Sequence, residues 1–136
     1  LADIKRLGLK VQMLPEFAST KSFYKTQYFC LQNQGVIPFF GWILFLEGMA
    51  IRIGPEALRR ARETYGTSAT TFIKLHVEED DGHLEKAFSA LPEMNAQQRA
   101  QMFENMNLSF ELYSLILEQS QAALSQGQGE SIKRVS

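Results

Sequence analysis

With 136 residues, 45% of them hydrophobic, the chain fits one domain and carries enough apolar material for a core. Fourteen basic against fifteen acidic residues give a formal net charge of −1, which removes the electrostatic footprint expected for nucleic acid or an anionic membrane. The single cysteine, Cys30, cannot close an internal disulfide and fits a reducing, cytoplasmic setting.

Apolar residues recur at three and four along most of the chain, and strand-like alternation is nowhere sustained, so the expected class is all-α. LADIKRLGL reads as a short helix, Ala2 to Leu7, stopping at Gly8. It resembles the end of a helical segment running into a loop, so a processed or truncated piece of a longer protein is expected. A second helix is expected from Glu16 to Gln32, with Phe17, Tyr24, Tyr28 and Leu31 at helical spacing. VIPFFGWILFLEGMAIRIG predicts a third, from Pro38 to Ile53, closed by Gly54. The apolar run inside it, Val36 to Leu46, is shorter than the roughly 20 residues that cross a bilayer. No signal-peptide pattern opens the chain, and a soluble protein without a membrane partner is expected.

Pro55 then opens a polar, arginine-rich surface helix ending at Gly66. Thr67, Ser68 or Thr70 caps a long helix to Leu91, where Pro92 breaks it. Asn95 caps the last helix, which is expected to reach Gln126. Residues 127–136 form a polar tail, so residues 1–126 are one helical domain.

The two histidines of the chain, His76 and His83, bracket four acids in HVEEDDGH. On a helical projection Asp80 lies within about 40° and His83 within about 20° of His76, while Glu78 and Asp81 fall on the opposite, solvated side. Glu79 sits on the edge. The histidine face continues through Ala69, Phe72, Ala87 and Ala90, which places both imidazoles and Asp80 in an apolar stripe. Burying such groups costs several kcal/mol unless each finds a partner. A metal ion is one common partner. Two imidazoles and a carboxylate suit iron, manganese or zinc. A metal-free polar layer, with Asp80 paired to a histidine, is the alternative. Glu47 is the one ionisable group in FFGWILFLEGMAI; it is either a fourth ligand from a neighbouring helix or a partner of Arg59 or Arg62. Cys30 is expected in the core, and Phe39, Phe40, Trp42, Phe72 and Tyr113 are core or pocket-lining aromatics.

GWILFLEG followed by IKLHVEEDDGHLEKAF resembles half of the iron site in the heme-oxygenase-like diiron oxidases and oxygenases: a Glu, then H-x3-D-x2-H on a later helix. Relatives of that kind include the UndA-like fatty-acid decarboxylases and the CADD-like proteins, and more distantly the cofactorless PqqC and TenA-type enzymes. The resemblance spans residues 36–91. It implies a heme-oxygenase-like helical bundle and metal ligands Glu47, His76, Asp80 and His83. It further implies iron as Fe2+, two per complete site, with O2 as co-substrate for oxidising a small organic molecule. Family members carry a further Glu and His on an earlier helix. This chain has no third histidine, so it is expected to be incomplete at the N-terminus and to hold half a site. The alternative is a metal-free helical protein of the same shape, a TenA- or PqqC-type enzyme or a dimeric scaffold. Heme binding is a weaker third option. A small-molecule substrate and a homodimer are the partners the reading allows.

Overall fold

The computed structural model of the chain describes residues 2–11, 16–79, 85–86, 88–89 and 91–133. Its elements are α1 (Ala2–Arg6), α2 (Ala18–Asn33), α3 (Val36–Tyr65), a 3-10 turn (Thr67–Ala69), α4 (Thr71–Glu79), a second 3-10 turn (Leu91–Glu93) and α5 (Ala96–Lys133). No strand occurs among the described residues, as the apolar periodicity predicts.

The two helices expected over residues 38–53 and 55–66 are one, because Val36–Tyr65 is continuous through Gly54-Pro55. Proline inside a helix removes one N–H, here the donor to the Ile51 carbonyl, and ordinarily kinks or ends it. Gly54 nonetheless lies inside the helix. An added Cβ there would lie 2.7 Å from Val77 Cγ2, so Gly54 is the seat for α4 rather than a terminus. The glycines that do end elements are Gly8, Gly35 and Gly66, all with positive φ. Thirty residues long, α3 also contains an 18-residue window of mean hydropathy 1.7, of which 17% is buried. By length and composition alone it could cross a membrane, as can many core helices, whereas the uninterrupted apolar run looked too short.

Helix α3 is pinned to α5 at Gly41. A Cβ at this position would overlap the Met102 carbonyl oxygen and press on the Met106 amide, so only glycine allows the two backbones to approach so closely. From there the helices run in the same direction, Phe45 meeting Phe110 and Tyr113 further along both. Leu44, Met94 and Met102 are buried at this crossing, with Ile37, Phe40, Leu91 and Met106 packed around them.

Helix α2 runs the other way, Ser19 donating to Gln119 at one end and Gln27 reaching Asn105 and Ser109 nearer the other. A polar layer holds this register. Asn105 Nδ2 donates to Gln27 Oε1 (2.9 Å) and to the Pro38 carbonyl (2.7 Å), and Ser109 Oγ donates to the Asn105 carbonyl (2.7 Å). Three helices thereby meet on one buried amide. The start of α5 is set by a reciprocal capping box, in which Asn95 Oδ1 accepts from the Gln98 amide and Gln98 Oε1 from the Asn95 amide, both at 2.9 Å. Its helical backbone continues past Gln126 to Lys133.

Candidate functional site

Helices α3 and α4 present the described part of the expected ligand set. Glu47 is half-buried on α3, has a partner, and lies seven residues before Gly54. That spacing puts both on one helical face, within about 20°. Since Gly54 receives Val77, the carboxylate belongs to the α4-facing stripe of α3. The continuous helix also removes the ion-pair alternative. Twelve residues of unbroken α-helix hold Glu47 about 18 Å from Arg59 along the axis, and Arg62 is farther still. Arg59 is in any case tied to Glu56 and Glu63 on the outer surface at 2.7 Å. Arg62 Nε is buried and, among the described residues, has no hydrogen-bond partner, a property it shares with Trp42 Nε1.

His76 lies on α4 next to Val77, but its side chain is exposed rather than buried. The residue of α4 seated against α3 is Val77, about 100° round the helix from His76. The apolar stripe through Phe72 and His76 therefore flanks the contact with α3 and opens to solvent. Phe72 holds the imidazole edge-on, ring centroids 4.4 Å apart at 63°. Asp80 and His83 lie outside the described residues, so their placement against Glu47 and His76 is not part of the structure. Among the described residues no cluster of three His, Cys, Asp or Glu side chains stands within reach of one ion.

What fixes α4 is a residue the sequence reading passed over. Asp3 Oδ2 accepts from the Phe72 amide at 2.7 Å and Asp3 Oδ1 accepts from the Thr71 hydroxyl at 2.5 Å, so α1 caps the N-terminus of α4 across the fold. The Thr71 hydroxyl, then the Phe72 amide, with Arg6 beside them, hold the Asp3 carboxyl below its ordinary pKa. Thr70, a candidate cap, instead donates to the Gly66 and Thr67 carbonyls. Only an Asp in the short first helix hinted at this role, and periodicity does not report contacts between distant segments.

The aromatics divide. Phe39, Trp42, Phe23, Phe45 and Tyr113 form one cluster between α2, α3 and α5. Phe40 joins the core crossing, and Phe72 stands apart beside His76. Beyond the Gly41 crossing, α3 and α5 leave an apolar groove of about 500 Å³, lined among others by Phe45, Met49, Ile53, Phe110, Tyr113 and Leu117, with Arg52 at its edge. Cys30 is a free, buried thiol, as expected of a core cysteine, and burial raises its pKa.

A family described as iron-containing redox enzymes, heme-oxygenase-like in fold, matches residues 3–114. The chain belongs to this family. The match takes in α1 to α4 and the first half of α5, and with them Glu47 and the whole HVEEDDGH segment. The chain is thereby an all-helical, heme-oxygenase-like member of a family of iron-containing oxidoreductases. Comparison with curated proteins and with solved structures finds no match.

A family of iron enzymes raises the question of whether these residues suit the metal. The donor chemistry does, since a carboxylate and an imidazole are oxygen and nitrogen ligands proper to iron. Their positions are less decisive: Glu47 is on the apolar helix face that receives α4, whereas His76, about 100° round α4 from Val77, opens to solvent. Two described donors do not make a closed shell.

Proposed function

We propose that the chain is a non-heme iron oxidase or oxygenase of the UndA-like and CADD-like kind, cytoplasmic and without a membrane partner. Glu47, His76, Asp80 and His83 would form one half of a two-iron site. The observation that carries the reading is Glu47, a carboxylate set in the apolar part of α3 on the face that Gly54 opens to α4, in a chain of the iron-redox family. Iron, when bound, supplies one-electron chemistry and a place for O2 to be reduced against a small organic substrate.

The remaining tasks belong to the chain. The Glu47 carboxylate offers oxygen donors whose anionic form a cation stabilises despite the apolar surroundings. His76 offers a nitrogen, its ring oriented by the edge of Phe72. Asp3 holds the head of α4 and with it the position of His76. Leu44 and Ile51 stand one helical turn before and after Glu47, which is itself half-buried.

Anaerobic loading with Fe2+, removal of free metal and elemental analysis test the reading. One to two irons per chain are expected, with loss of most of that iron in both Glu47→Ala and His76→Ala. Because His76 is exposed, its replacement leaves the fold intact, so lost iron reports a lost ligand. Wild-type protein that retains no iron, or variants that retain as much as wild type, would sink the proposal.

A further inference from the structure

Helices α2 and α3 leave a small pocket between them, about 190 Å³, lined by Tyr24, Gln27, Tyr28, Leu31, Phe39 and Trp42. Four of these six side chains are aromatic, two from each helix. Helical spacing puts them there: Tyr24 and Tyr28 stand one turn apart on α2, Phe39 and Trp42 one turn apart on α3. The tyrosine rings are nearly perpendicular, at 87° with centroids 6.5 Å apart, and the Phe39 and Trp42 rings are tilted at 42° with centroids 5.2 Å apart. Rings at such angles wall a space rather than stack through it.

A volume below the roughly 300 Å³ of the smallest drug-sized sites admits a small headgroup. Aromatic rings carry negative faces, and a cation within about 6 Å of their centroids is attracted to them, most strongly to Trp. The charge around the pocket agrees. None of the six lining side chains is cationic. The Tyr24 hydroxyl donates to Glu16 Oε1 at 3.0 Å, which fixes a carboxylate beside that ring and leaves the phenol richer in electrons. Lys21 meets the other Glu16 oxygen at 3.4 Å, but with Lys25 and Phe29 it lines a separate hollow. The kind of cation follows from the acceptors. Gln27 is buried and its Oε1 already accepts from Asn105 at 2.9 Å, so a primary ammonium, with three N–H donors, would find little to satisfy it. A quaternary ammonium has no N–H to satisfy.

The geometry points to a binding pocket for a small quaternary ammonium ion of choline size, held by the rings of Tyr24, Tyr28, Phe39 and Trp42 with Glu16 beside them. Trp42 lies about 140° round α3 from Glu47, so the pocket and the proposed iron ligand stand on different sides of the helix. Binding here needs no metal.

Titration of the metal-free chain with choline chloride, at ionic strength held constant with sodium chloride, is the test. Trp42 is the single tryptophan, so intrinsic tryptophan fluorescence reports this pocket alone. A saturable change, half complete near about 1 mM, is expected of a ligand with so few atoms. Dimethylbutanol, the uncharged carbon isostere, should bind at least about tenfold more weakly, since it keeps the shape and loses the charge. Tyr28→Ala should weaken choline at least about fivefold by removing one wall. Tyr28 is 63% exposed, so its replacement spares the fold, and circular dichroism checks this. No saturable response overturns the inference, as does an isostere that binds as well as choline or a Tyr28→Ala variant indistinguishable from wild type. A response to phosphatidylcholine vesicles without one to free choline overturns it too, assigning the rings to a membrane surface. Because the chain is metal-free throughout, each of these results leaves the iron reading where it stood.

Discussion

At Gly41 an added methyl group would meet the Met102 carbonyl oxygen, whereas at Gly48, two turns on, it would meet nothing within 4 Å. Two glycines of one helix therefore answer the same substitution oppositely. Gly41→Ala should destabilise by about 1–3 kcal/mol, the usual cost of overpacking, because backbone cannot step aside as a side chain does. Gly48→Ala should stabilise by about 0.5–1 kcal/mol through helix propensity. Urea denaturation of the pair measures both. Asn105 is similarly exacting. Replacing it with Ala strands Gln27 Oε1 and the Pro38 carbonyl in the core, so a loss of about 1–3 kcal/mol is expected by the same measurement. None of these partners can be read from the chain, since each joins residues more than sixty positions apart.

Among elements, α2 at both ends and α5 at its start came close to the expected bounds because their signals are local: helical spacing of apolar residues, and an Asn95 box that the sequence spells out. The expectation for α3 failed at Gly54-Pro55, where the same two letters that end most helices are used to seat a neighbour. The face of α4 was misjudged for a related reason. Projection gives an apolar stripe but not which edge of it meets α3, and Val77 rather than His76 does. The outer surface of the second half of α3 carries its own pH dependence. Arg59 and then Arg60 hold Glu56 down at about 2, from an ordinary 4.5, and Asp3 is lowered at the head of α4. Carboxyls lowered in the folded state add stability above their unfolded pKa and lose it as pH falls through the folded one. Thermal melting should therefore drop as pH falls from about 4.5 towards about 2, and Glu56→Gln should flatten that decline. Salt should weaken the Glu56 part, since the pair is exposed.

At the scale of the whole molecule, the helical class was legible in the apolar periodicity and the heme-oxygenase-like family in GWILFLEG and HVEEDDGH; what escaped the sequence was how few large side chains the described residues bury. Cys30 offers a check on the assembled core. Its thiol is buried and its pKa raised, so thiol labelling at mildly alkaline pH should be slow in the native protein and complete once urea unfolds it. The clamp of α1 on α4 reaches furthest. A short helix with its amide ends uncapped exists as a population of wound and frayed forms, and only the wound form presents His76 in place. The apparent dissociation constant of anything His76 holds is the intrinsic constant divided by the wound fraction, so a tenfold fall in that fraction weakens binding tenfold. Asp3, whose two oxygens are taken up by Thr71 and the Phe72 amide, would thereby set an affinity from across the fold, and a chain clipped after its first few residues would keep every proposed ligand and still bind less.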